Sequence, residues 1–224
     1  MENRRSQKYW FLSNAKINYE FQFDAIKSYL NQSQSMIRNI ESDLEKKYRE
    51  WESERKTNPD LPEAHFIFED EVYNHDQFSS ILNESTFLTV YSKFESEFFS
   101  ICELIQHSAN LKIGPKDINC KGFIQQAYKY LKIVIGIDLT SLNDKWREIN
   151  FYGNIRNAIA HKRGRIDLKN PQNENLISFI EKSNGAYIYL TDQTIQIESI
   201  NFVIQFIDLI IDFLVEVSEL IINK

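Results

Sequence analysis

The sequence predicts a mainly α-helical fold, a bundle of about five helices with a small β-hairpin before the last one. Three observations carry this expectation. The 224 residues include only six Gly and four Pro, against usual shares of about 7% and 5%, so helix breakers are scarce and helices run long. Apolar residues recur at alternating spacings of three and four over long stretches, the period of a helix face. The clearest two-residue alternation, YIYLTDQTIQI, is short and comes late in the chain. With 42% hydrophobic and 26% charged residues, the composition is that of an ordinary globular protein, large enough for one domain with an appendage or two small ones. The expected division is a long N-terminal helix or arm over 1–63 and a helical domain over 64–224.

From Ala15 to about Lys56 there is neither Gly nor Pro, and Phe23, Ile26, Leu30, Ile37, Ile40, Leu44 and Trp51 form one seam with Ser33 and Lys47 as gaps. That is a helix of about 60 Å, with the seam available for packing within the chain or against a second copy. NQSQS at 31–35 is its weak point. The distal stretch DLEKKYREWESERK is charged on most faces and reads as a projecting arm. Pro59 and Pro62 break the pattern. A second helix is expected from about Asp76 to Leu111, ended by Gly114-Pro115, and a third from about Gly122 to Ile135, closed by Gly136. Ser141 with Asp144 three positions on resembles a capping box and starts a fourth helix that stops before Gly164. Asn184-Gly185 leads into the hairpin, which turns at Asp192-Gln193. The last helix starts near Ser199. Its Asp208, Asp212, Glu216 and Glu219 fall on one stripe, each costing about 2.5 kcal/mol or more at a bilayer centre, so it is amphipathic and not a membrane span.

The net charge of −6 favours solubility and gives no general pull toward nucleic acid. Two cysteines, Cys102 and Cys120, are too few for a disulfide framework, and MENRRSQKYWFLSNAK lacks the apolar core of a signal peptide, so a cytoplasmic protein is expected. There is no phosphate-cradling Gly-rich loop, no His-Glu-x-x-His, no Cys-x-x-Cys and no EF-hand loop. The four histidines, His65, His75, His107 and His161, are spread along the chain, and neither a metal nor a cofactor is expected. Glu95 and Glu97, like Glu41, Asp43 and Glu45, read as solvated helix surface.

The informative segment is IRNAIAHKRG at 155–164. On a helix with Arg156 at 0°, Asn157 lies at about 100° and His161 at about 140°, whereas Ile155 and Ile159 lie near 260° and 300°. Asn157 and His161 thus share a face away from the apolar stripe, and Arg156 is long enough to reach across it. The three offer a proton-exchanging group, a two-pronged cation suited to phosphate and an orienting amide. Lys162, Arg163 and Arg165 follow directly, and 145–165 carries a net charge of +5 against −11 for the remainder. The same residues also fit an ordinary helix end, where cations meet the negative pole of the macrodipole and Gly164 supplies a left-handed cap.

Arg156-Asn157, three residues and then His161 resembles the arginine-x4–6-histidine motif of the HEPN superfamily (higher eukaryotes and prokaryotes nucleotide-binding). The resemblance extends over about Phe87–Ile166, through LTVYSKFESEFFSICELI, CKGFIQQAYKYLKIVIGID and WREINFYGNIRNAIAHKRGRI in that order; these segments look like those of uncharacterised bacterial HEPN-like proteins. It implies a metal-independent endoribonuclease working as a homodimer in phage defence, a toxin–antitoxin pair or RNA processing. Arg156 and His161 would be the catalytic pair, Asn157 the polar third member, and Lys162, Arg163 and Arg165 the RNA-binding cations. Arg163 stands where the toxins partnered with small nucleotidyltransferases typically place a Tyr, which sets this chain apart from that subtype. Members without nuclease activity exist, so the resemblance is also compatible with a binding module for nucleic acid or protein, or with the neutralising half of a defence pair.

Overall fold

The computed structural model describes residues 10–183, 185–189 and 192–224; the basic N-terminal run before Trp10, and Asn184 ahead of the hairpin, lie outside the described residues. Among the described residues seven α-helices and one two-stranded hairpin follow in order: α1 (Trp10–Ser13), α2 (Ala15–Thr57), α3 (Ala64–Ser108), α4 (Phe123–Lys129), α5 (Asn143–Lys162), α6 (Glu174–Lys182), β1 (Ala186–Tyr189), β2 (Thr194–Ile197) and α7 (Ile200–Ile222). The protein is a mainly α-helical bundle with a small antiparallel hairpin before the last helix.

α7 is the axis of the core. Phe202, Val203, Phe206, Ile207, Ile210, Phe213, Leu214 and Val217 are all fully buried, more than one helix stripe, because α1, α2, α3 and α5 all pack on it. The carboxylates of the expected stripe point outward. Asp208 takes Lys27 of α2 at 2.5 Å, and Lys145 of α5 reaches Glu216 at 2.5 Å and Asp212 at 3.9 Å, so three of them tie neighbouring helices to the rim. Ser199 caps the helix by accepting from the Asn201 amide at 3.2 Å. Among the described residues no helix is long and apolar enough to cross a membrane.

α3 lies along α7, with Phe87, Tyr91, Phe94 and Phe98 contacting Phe206 or Phe213 at ring distances of 5.2 to 6.3 Å. It begins at Ala64, twelve residues before the expected start. Phe68 is buried between Tyr48 and Trp51 of α2, and the Trp51 indole donates to the Pro62 carbonyl at 3.0 Å. The charged distal half of α2 is therefore one limb of an antiparallel helical pair, and that contact extends α3 where periodicity alone is weak. The proximal half of α2 inserts Tyr19, Phe23 and Leu30 into the same core as α3, α5 and α7.

The third helix ends its α-helical run at Lys129, passes through a π-helical segment at Tyr130–Ile135 and closes on left-handed Gly136. The expected capping box at Ser141 does not form. A 3-10 turn at Thr140–Leu142 leads into α5, with Leu142 at the cap position, while Asp138 accepts from the Thr140 amide and hydroxyl at 3.0 and 2.8 Å. Those bonds hold the Asp138 carboxyl below the usual range. α6 goes beyond the expected five helices: its Leu176 and Ile180 are buried one turn apart, too short a run to register as a pattern. The hairpin pairs Ala186 with Ile197 and Tyr189 with Thr194.

Candidate functional site

α5 presents the motif because its apolar face is locked into the bundle. Ile149, Tyr152 and Ile155 are buried and Ile159 is packed at the core margin, leaving the Asn157 side of the helix toward solvent. Gly153 lets α5 lie directly on α3: a Cβ at this position would stand 2.6 Å from the Tyr91 hydroxyl.

Across that close contact α3 supplies two partners for Arg156. The Tyr91 ring lies 5.6 Å from the guanidinium carbon, within cation–π range, and Glu95, one turn on, places a carboxylate oxygen 3.6 Å from Nη2. The other prong of the guanidinium faces the motif. Nη1 donates to Asn157 Oδ1 at 3.0 Å and lies 3.5 Å from His161 Nε2. A guanidinium only donates, so a hydrogen bond across this gap requires Nε2 as the acceptor and the imidazole proton on Nδ1. Arg156, Asn157 and His161 are thereby brought together, with Arg156 half-buried and the other two exposed.

Glu95 is the residue that sequence reasoning assigned to solvated surface. Its side chain is 18% exposed; burial pushes its carboxyl above the ordinary value and the neighbouring Arg156 pulls it back. Burial also raises the Tyr91 hydroxyl. The spacing of Tyr91 and Glu95, four apart on one face, was available in the sequence. Their partner on α5 was not.

The end of α5 departs from the expected cap. Arg163 itself takes the left-handed conformation at φ 54°, and Gly164 follows at φ 75°. The Gly164 amide bonds the Ala158 carbonyl at 2.9 Å, closing the helix, and the Gly164 carbonyl accepts from Ile195 of β2 at 2.9 Å. Arg165 forms a bridge to Thr194 and the Ile166 amide donates to Gln193. The hairpin thus anchors the chain just past the motif, and Lys162, Arg163 and Arg165 remain exposed around that junction.

Among the described residues no group of three or more His, Cys, Asp or Glu is arranged to hold a metal ion. No family model, curated protein or solved structure matches the chain. The chemistry available at the site is that of one guanidinium braced from behind, one accessible imidazole, one amide between them and three flanking cations: an anion site beside a proton-transfer group.

Proposed function

We propose that the chain is a metal-independent endoribonuclease of the HEPN type, acting in the cytoplasm as a homodimer and serving as a defence or toxin–antitoxin effector under a cognate partner. The observation that carries this reading is the convergence of Arg156, Asn157 and His161 at an exposed helix end, with Arg156 held from behind by Glu95 and Tyr91. In the reaction the ribose 2′-oxygen attacks the adjacent phosphorus, the bond to the 5′-oxygen breaks, and a 2′,3′-cyclic phosphate and a 5′-hydroxyl result. One proton leaves the 2′-hydroxyl and one reaches the leaving oxygen. Each protomer brings a single His161, so a base and an acid come from two copies whose α5 helices meet, and the two Arg156 side chains stabilise the phosphorane charge.

The test is RNA cleavage by purified protein with EDTA present. Cleavage persists in wild type and falls by about 10²–10⁴ in His161→Ala, while Arg156→Lys is strongly impaired because one charge remains but the two-pronged contact is lost. A monomer at high concentration, or cleavage that survives both substitutions, overturns the reading. The exposed run of Lys162, Arg163 and Arg165 favours a second reading, a module that binds RNA or an acidic partner without cutting; it takes over if binding is salt-dependent and no RNA is cleaved.

A further inference from the structure

Glu95 is shared between two features. On one side it holds Arg156; on the other it lines an open groove that runs along α3 toward the start of α4, together with Ser92, Ser96, Phe99, Ser100 and Phe123. The floor is Phe99, buried in the bundle. The wall is Phe123, the first residue of α4, 55% exposed and set edge-on to Phe99 with ring centroids 5.5 Å apart. The other face of the Phe123 ring is open to solvent and free to stack a planar group.

The hydroxyls of Ser92, Ser96 and Ser100 stand one turn apart on the exposed side of α3. Thr89 returns its hydroxyl to the Ser85 carbonyl at 2.8 Å. These three serines make no such bond among the described residues, and a free hydroxyl can both donate and accept. Charge decides what fits. Glu95 and Glu103 stand in the lining, and Lys116 is engaged with Glu103 at 2.8 Å and lies over the Phe99 ring at 5.8 Å. Each carboxylate is thus paired with a cation, Glu95 with Arg156 and Glu103 with Lys116, so the groove offers no unpaired cation to a phosphate, while a neutral aromatic ring with donor and acceptor edges needs none.

We propose that the α3–α4 groove is a nucleobase subsite: it stacks the base next to the phosphate held at Arg156 on Phe123 and reads its edge with the α3 serines. This rests on the RNA reading of the Arg156 cluster, and it adds a source of base preference to a site that otherwise contacts only backbone.

The experiment measures binding of short fluorescent 2′-O-methyl oligoribonucleotides, which cannot be cleaved, as an intact set and a set with one abasic position moved along the chain. In wild type one abasic position weakens binding by about tenfold, the order expected for losing one stacked base. Phe123→Ala binds intact and abasic chains alike, Phe123→Trp restores the difference, and Arg156→Ala weakens both sets equally. Discrimination that persists in Phe123→Ala overturns the subsite, as does a change in oligomeric state in Phe123→Ala with discrimination intact, which makes the groove an interface between copies. If wild type binds neither set, the RNA reading has failed and the subsite falls with it. If Arg156→Ala weakens binding but no position discriminates, the RNA reading stands and only the subsite is lost.

Discussion

At position 153 there is no room for a methyl group, and the reason lies in Tyr91. Its hydroxyl would meet a Cβ there at 2.6 Å, and its ring cannot swing aside because it is buried and stacked on Phe206 at 5.7 Å. Gly153→Ala therefore costs about 1–3 kcal/mol, the usual range for overpacking. In a Tyr91→Phe background the obstructing oxygen is gone, and the same change becomes neutral or favourable by up to about 1 kcal/mol from helix propensity. A double-mutant cycle in denaturant reads this coupling directly, and independent effects of the two substitutions would refute the contact. The same geometry explains which site residues were legible. Arg156, Asn157 and His161 lie on one helix, so spacing alone placed Asn157 and His161 on a common face with Arg156 in reach. Glu95 and Tyr91 belong to a helix some sixty positions earlier, and only the close approach at Gly153 makes them neighbours of the guanidinium.

Among the elements, α5 carries two features at odds with stability. Arg163 sits in the left-handed region, where a side chain costs about 1–2 kcal/mol. Arg163→Gly relieves this and raises the unfolding free energy by about 1 kcal/mol, while weakening RNA binding through the lost cation; chemical denaturation and a binding titration on one variant check both signs. Glu148 is half-buried, and burial alone pushes its carboxyl above the usual value. A group whose folded value is raised contributes most below its unfolded value, and that contribution is lost as pH rises through the folded one. Glu148→Gln accordingly stabilises the protein at pH 7 and flattens the loss of stability between mildly acidic and neutral pH, as thermal melts across that range will read. The long helices, the break at Pro59–Pro62, the hairpin and the start of the last helix near Ser199 were legible because each rests on local signals. The start of α3 and the existence of α6 were not. Both depend on contacts, Phe68 with Tyr48 and Trp51 in one case and a two-residue buried face in the other.

Across the whole molecule, charge is segregated in a way the net value of −6 conceals. Residues 57–92, which include the first two-thirds of α3, contain seven acidic residues and neither Lys nor Arg, whereas 145–165 carries +5. On the proposed RNA reading, a strand should be repelled along the helical pair formed by α2 and α3 and drawn to the end of α5, where Lys162, Arg163 and Arg165 flank the motif. The contact is also short: with Arg156 these make four cations, so binding should release few counterions. For a single strand the slope of log affinity against log salt is about −0.7 per phosphate contact, which gives about −3 per protomer. Each of Lys162→Ala, Arg163→Gly and Arg165→Ala should reduce that slope by about 0.7 and weaken all sequences alike, because cations that meet phosphates position the chain without reading it. Arg156→Ala should reduce the slope by the same increment and remove cleavage as well. Anisotropy titrations of one uncleavable oligonucleotide at four salt concentrations separate these outcomes. A slope near zero in the wild type would show that the basic junction meets something other than a phosphate backbone.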